Sequence, residues 1–273
     1  MPPVRGYRWP SEPGGRQGRK AMAAVVLTPM EFFVSWEDLA PGARPLVLDV
    51  VPDPATDEEA EQIRRSAWVG LADKGLGWPG QLNSWYTDLL HQFARPRTAI
   101  DLRFNLDRER SLRAMVTGSG EFVACGSVMD NQIRISEIGP TTMPEAAVEL
   151  LPEHPPGHGD SITVPNDLLQ YAAARAGKSY DAFAHQLELG GMPAGPARAL
   201  AQTVSAERLR GGQFGATGWD HWGERNRAEH VVSVVDNIEG RYSVRAIGQY
   251  TTVAPADTER LVENLSELLI SVN

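Results

Sequence analysis

Six histidines, one cysteine, a glycine-rich run and a Trp–Arg hairpin are the residues in this 273-residue chain whose types could do chemistry. His154 and His158 stand in "HPPGHGD" with Asp160 beside them, a spacing that could begin a metal site. Metal sites need three or four rigidly held ligands, and a Pro/Gly-rich segment frames them poorly. "GGQFGATG" (211–218) holds four glycines. A phosphate cradle needs a helix N-terminus directly after its loop, whereas the continuation "WDHWGERNRAEHVVSVV" reads as strand and turn. The glycines then belong to a curved strand, bare enough for another chain to approach. Cys125, in "EFVACGSV", has no histidine near it in sequence and reads as a small buried residue, although a base could be distant. "TGSGEF" is a hairpin turn rather than a nucleophile elbow. No metal, no cofactor and no catalytic residue is therefore expected. An enzyme using a scattered carboxylate pair stays open as an alternative.

The hairpin points to binding instead. Trp219 and Trp222 lie close to Arg225 and Arg227, and Trp and Arg are enriched in protein-binding hot spots. Alternation in "QFGATGWDH" and "RYSVRAI" gives each strand a polar-leaning face: Gln213, Thr217 and His221 on one, Arg241, Ser243 and Arg245 on the other. Residues two apart share a face. One continuous partner-binding patch is expected at Gln213, Trp219, Trp222, Arg225, Ser233, Ser243 and Arg245, with Trp219 as its apolar anchor. The competing reading buries Trp219 in the core and moves binding to the helices between 166 and 205.

Elements able to position these residues follow from periodicity. Thr28, Pro29 and Glu31 form a capping box ahead of a helix that buries Phe32, Phe33, Trp36 and Leu39. "RPLVLDV" (44–50) reads as a buried strand. Helices follow over 55–76, with Ile63, Ala67, Trp68 and Leu71 on one face, and over 79–94. Four strands at 98–104, 111–117, 121–128 and 132–138, joined by short turns, make an antiparallel meander, and a helix starts near Pro144. Residues 151–161 read as a linker. Three short helices then precede strands at 212–222, 229–235 and 241–248, and an acidic helix from Pro255 closes the chain.

The net charge is −9, which argues against non-specific nucleic-acid binding. No apolar run approaches the roughly 18–20 residues of a membrane span. A single cysteine excludes a disulfide scaffold. Residues 1–22 carry five basic residues and one acidic residue in a Pro/Gly/Arg-rich stretch. They read as a disordered, dispensable basic leader, with Met22 as a natural start.

Two phrases repeat. "EIGPTTMPEAAVELL" (137–151) and "AIGQYTTVAPADTERLVENLSELL" (246–269) share Ile-Gly, Thr-Thr, a proline and an acidic helix ending in Leu-Leu. "SVMDNQIRISEIG" likewise parallels "SVVDNIEGRYSVRAIG". An internal duplication is expected, with pseudo-repeats of about 23–151 and 160–273 in one domain. Each meander alone would leave raw edges and a bare apolar face.

On "VVLTPMEFFVSWEDLAPGARPLVLDV" and "RGGQFGATGWDHWGERNRAEHVVSVVDNIEGRYSVRAIGQYTTVAPADTERLVENLSELL", the chain resembles the EspG family of ESX (type VII) secretion-associated chaperones. The resemblance covers about 23–273 and is looser between 56 and 200. It implies an α+β fold with a quasi-twofold duplicated domain, its central antiparallel sheet flanked by two helical bundles. It also implies a cytoplasmic, non-enzymatic chaperone, monomeric or weakly dimeric. The expected partner is a helical PE–PPE-type heterodimer, held at its hydrophobic tip by one sheet face and the C-terminal bundle. A scaffold or dimerisation protein using the same sheet is the other alternative.

Overall fold

Thr28 decides where the first helix begins. Its Oγ1 accepts the Glu31 N–H at 3.2 Å, and the Glu31 carboxylate accepts the Thr28 N–H at 2.7 Å, ahead of Pro29 at the first helical position. This is the reciprocal cap that the spacing predicts. Thr142, Pro144 and Glu145 repeat the device at a later helix. The computed structural model describes residues 24–50, 56–119, 122–139, 141–177 and 179–272, so the expected leader, 1–22, lies outside the described residues.

The first half runs β1 (Ala24–Leu27), α1 (Pro29–Leu39), α2 (Asp57–Asp73), the small pair β2 (Gly77–Trp78) and β3 (Gln81–Leu82), and α3 (Ser84–Ala94). The meander β4 (Thr98–Asn105), β5 (Ser111–Ser119), β6 (Phe122–Met129) and β7 (Gln132–Ile138) follows, then α4 (Met143–Val148). The second half runs β8 (Ile162–Pro165), α5 (Asn166–Ala176), α6 (Tyr180–Leu189) and α7 (Ala194–Ser205). Then come β9 (Arg208–Trp219), β10 (Arg225–Arg227), β11 (Val232–Asn237), β12 (Gly240–Ile247), β13 (Tyr250–Pro255) and α8 (Thr258–Ile270).

All but β2 and β3 join one 11-stranded sheet, ordered β1-β7-β6-β5-β4-β9-β11-β12-β13-β8, with β10 paired to β9. The order reads alike from either end. β4 answers to β9, β5 to β11, β6 to β12, β7 to β13 and β1 to β8. The halves meet where β4 pairs antiparallel with β9, from Thr98↔Gly218 to Asn105↔Gly211. The Asp130–Asn131 turn has both residues at positive φ (48° and 56°), the geometry a two-residue hairpin loop demands.

Alternation along the central strands divides the core. Ile100, Leu102, Phe104, Phe214, Ala216, Val232 and Val234 face one side, where Leu261, Leu265 and Leu268 of α8 and Ala146 and Ala147 of α4 seal them. On the other side α1–α3 cover Met115, Ala124, Val128, Ile133 and Ile135. There α5–α7 pack over Val164, Tyr242 and Val253. β6 is buried on both faces, which is why "FVACGSVM" lacks polar alternation.

Three sequence expectations change. Residues 45–50 form a turn rather than a strand: the Leu48 N–H meets the Pro45 carbonyl at 2.9 Å while Val47 and Leu48 plug the first-half core. Strands β2, β3, β8, β10 and β13 are not among those the sequence predicts, and the helix expected over 79–94 begins only at Ser84. β13 also moves the repeat by one strand, because Ile138-Gly139 ends β7 whereas Ile247-Gly248 ends β12, the partner by symmetry of β6. The quoted phrases are alike in residues and out of step in the fold. Residues 151–161 are more than a linker. They wrap the start of β12, with the Arg241 N–H on the Pro155 carbonyl and the Gly157 N–H on the Arg241 carbonyl, each at 2.8 Å.

Candidate partner-binding face

Between the two helical bundles, β4, β9 and β11 keep one face uncovered. Its rows are fixed by register. Arg113 of β5 lies opposite Arg103 of β4, Arg103 opposite Gln213 of β9, Gln213 opposite Ser233 of β11, and Ser233 opposite Val244 of β12. Arg103 and Gln213 are exposed, and Arg113, Ser233 and Val244 are half-buried. One row away, Arg227 of β10 forms an ion pair with Asp101 of β4 and donates to Thr217 Oγ1 at 3.0 Å. Near the far end of the face Leu209 of β9 is an exposed apolar residue, and so is Ile238 in the turn after β11, where its N–H donates to the Glu207 carbonyl at 3.1 Å.

The expected seven-residue patch does not assemble as one. Gln213 and Ser233 share the open face as neighbours. Trp219 ends β9 on the same parity, half-buried against the α1–α3 core, and Arg225 is exposed opposite it on β10. Trp222 is 80% exposed in the turn, its ring 4.6 Å from that of His221. Ser243 and Arg245 lie on the opposite, sealed face. Ser243 is buried and accepts from Asn264 of α8 at 3.4 Å, and Arg245 pairs with Glu267 of α8. The reason is register: Ser233 faces Val244, so β12 turns its odd-numbered residues away from the open face.

The glycines do not leave bare sheet. A Cβ at Gly215 would strike the Arg227 guanidinium, at Gly212 the Arg103 carbonyl, and at Gly218 the Val272 carbonyl. Their smallness lets the chain pack on itself.

The other chemistry-bearing residues are committed to structure. Asp236 is fully buried on the sealed face and takes Arg241 Nε at 2.7 Å, Arg241 Nη2 at 2.8 Å and Arg210 Nε at 2.7 Å. Burial raises its carboxyl, but the Arg241 and Arg210 hydrogen bonds and charges outweigh this and hold it below the usual carboxylate range. The two guanidinium groups also reach the Pro152 and Glu153 carbonyls at 2.7 and 2.8 Å. His154 Nε2 sits 3.0 Å from the Asn237 carbonyl, and the His158 N–H meets the Tyr242 hydroxyl at 3.1 Å. Among the described residues no group of three or more His, Cys, Asp or Glu is placed to hold a metal ion. Burial pushes the Cys125 thiol up to about 12, with the Arg134 charge opposing, far from a reactive thiolate. A cavity of about 170 Å³ lies between α7, His158–Asp160 and β12, below the roughly 300 Å³ at which small-molecule sites begin. No described helix is long and apolar enough to cross a membrane.

The EspG family model matches residues 28–267. The chain belongs to the EspG family. Its fold is similar to the Mycobacterium tuberculosis type VII secretion system chaperone EspG5, solved in complex with a PE25–PPE41 dimer. The TM-score is 0.72 at 14% identity, over 92% of this chain and 97% of that one. No curated protein matches it in sequence. In this EspG-family chain the residues of the candidate face that the sequence reading did not single out are Arg103, Arg113 and Leu209. Arg103 carried a signal, because "LRF" alternates a cation between two core residues.

Proposed function

We propose that this EspG-family protein is a cytoplasmic, non-enzymatic chaperone of type VII secretion that binds a helical PE–PPE-type heterodimer and keeps it soluble for export. Family membership over residues 28–267 carries the reading. The open face of β4, β9 and β11 agrees with it, since a broad platform between two bundles suits a helical tip better than a small molecule. A secretion substrate with an exposed apolar tip self-associates unless that tip is covered. A chaperone holds the soluble form by mass action, in proportion to how far its concentration exceeds the dissociation constant.

Co-expression with a PE–PPE pair from the same genome tests this. The chaperone raises the pair's soluble yield and co-purifies with it. Unchanged yield with no co-purification, for every pair in that genome, overturns the reading.

A further inference from the structure

The open face carries a charge opposite in sign to the net charge of the chain. On β4, β5, β9, β10 and β11 its residues include four arginines, Arg103, Arg113, Arg225 and Arg227, against one carboxylate, Asp101. That carboxylate is already paired with Arg227. The whole protein is at −9, so this is a local inversion of sign. Arg103 and Arg113 stand directly across from one another, an arrangement that costs stability in an antiparallel sheet. Arg113 reaches only the Asp49 backbone carbonyl, at 3.5 Å, and the Arg103 and Arg225 side chains form no hydrogen bond or ion pair with any described residue. On the sealed face three strand arginines are neutralised: Arg210 and Arg241 share Asp236, and Arg245 has Glu267.

We infer that the open face accepts a helical protein tip that presents carboxylate side chains to Arg103, Arg113 and Arg225, with an apolar residue of the tip meeting Leu209. The inference rests on the chaperone reading and adds the chemistry of the contact. A guanidinium offers a planar fork that matches a carboxylate with two parallel hydrogen bonds. Two such forks side by side, with the amide of Gln213 adjoining, form a receptor for acidic residues about one strand spacing apart, roughly 5 Å. Charge of this kind steers association and selects among similar helical pairs more than it adds raw affinity. A tip without carboxylates would leave Arg103 and Arg113 desolvated and unpaired beneath it.

The test uses the full chain and the PE–PPE pair that co-purifies with it. Affinity is measured at low and high salt for the wild type, Arg103→Glu, Leu209→Asp and Arg103→Glu against a pair whose tip carboxylates are changed to lysine. Wild-type affinity should fall with salt, Arg103→Glu should weaken binding at least tenfold at low salt, and the lysine-bearing pair should restore it. Arg103→Glu keeps its melting temperature, because the new carboxylate lies opposite Arg113. Arg103→Glu binding within twofold of wild type, while Leu209→Asp abolishes binding, overturns the acidic-tip inference and leaves the chaperone reading standing. A shift in the monomer–dimer balance of the free protein on Arg103→Glu makes a second copy the occupant and also overturns it. A wild type that binds no pair overturns both readings.

Discussion

On the sealed face of the central strands, Arg210 and Arg241 close on the buried Asp236 beneath the 152–157 strap. On the open face of the same sheet, Arg103 and Arg113 confront each other, and neither forms an ion pair with a described carboxylate, the nearby Asp101 being paired with Arg227. The residue type is the same and the strands are neighbours. What differs is desolvation. A buried guanidinium without a counter-charge is so costly that the fold must supply one, whereas an exposed one is held by water until a partner removes that water. Sheet arginines in this protein therefore divide into those that fasten the chain to itself and those left for another molecule.

The largest expected effect comes from cutting the sheet between its halves. The sealed core draws on both β4 and β9 and on both α4 and α8, and the β4–β9 junction spans eight residue pairs. We expect residues 24–151 and 160–272, expressed separately, to be insoluble or to melt without cooperativity, because each would bare a long central edge. Either fragment giving a soluble, cooperative melt would mean that the halves are autonomous domains, and the one-sheet comparison would have to be redrawn.

Next in size is Asp236→Asn. It leaves Arg241 buried and Arg210 mostly buried without their anion, so stability in a denaturant titration should drop by about 3–5 kcal/mol. Partner affinity should stay unchanged, since the triad is on the far face. The pH dependence has a definite sign. A carboxyl held below its unfolded value contributes stability fully above the unfolded pKa, and that stability is lost as pH falls through the lower folded value. The wild type should therefore lose this increment progressively as pH falls from the ordinary carboxylate pKa toward the lower folded value, and Asp236→Asn should flatten that limb. A stability loss under about 1 kcal/mol would reduce the triad to a surface-like ion pair.

The tryptophans sharpen the contrast between packing and presentation. Trp219 is half-buried against the α1–α3 core and Trp222 is 80% exposed. Trp219→Ala should cost about 1.5–3 kcal/mol, around half the loss for a fully buried ring, while Trp222→Ala should leave the melting curve within about 0.5 kcal/mol. Equal losses at the two sites would show that exposure does not separate their roles.

These contrasts also mark what was legible in the sequence. The cap at Thr28, the helix start near Pro144, the first meander and the helix–meander–helix order of each half could be read, because local hydrogen bonding and period-2 alternation are properties of short segments. The patch could not. Alternation tells that Arg241, Ser243 and Arg245 share a face, but not which face, since that depends on Ser233 pairing with Val244 rather than with a neighbour. A slip of one residue exchanges the two faces. β12 looked suited to binding because its odd-numbered residues are polar, and they are polar because they carry the buried triad and the contacts to α8. β13 was hidden for another reason: "YTTVAP" sits between a strand and a proline-led helix and reads as a connection.

The smallest expected effect tests the open face by itself, with no partner present. Arg103→Ala removes a cation that stands opposite Arg113 and meets no described acceptor. If the pair is an unrelieved repulsion, the substitution should raise stability by about 0.2–1 kcal/mol at low salt. Added salt should shrink the gain, because charges on this exposed surface are screened over roughly 8–10 Å near physiological ionic strength. Alanine has a lower strand preference than most residues, which works against the gain and makes its sign informative. Chemical denaturation of the two proteins at low and high ionic strength decides the matter. A gain that fades with salt means the sheet tolerates a like-charge pair for a reason outside its own stability. A loss at both salt levels would mean that the Arg103 stem packs on the strand and belongs with the structural arginines after all.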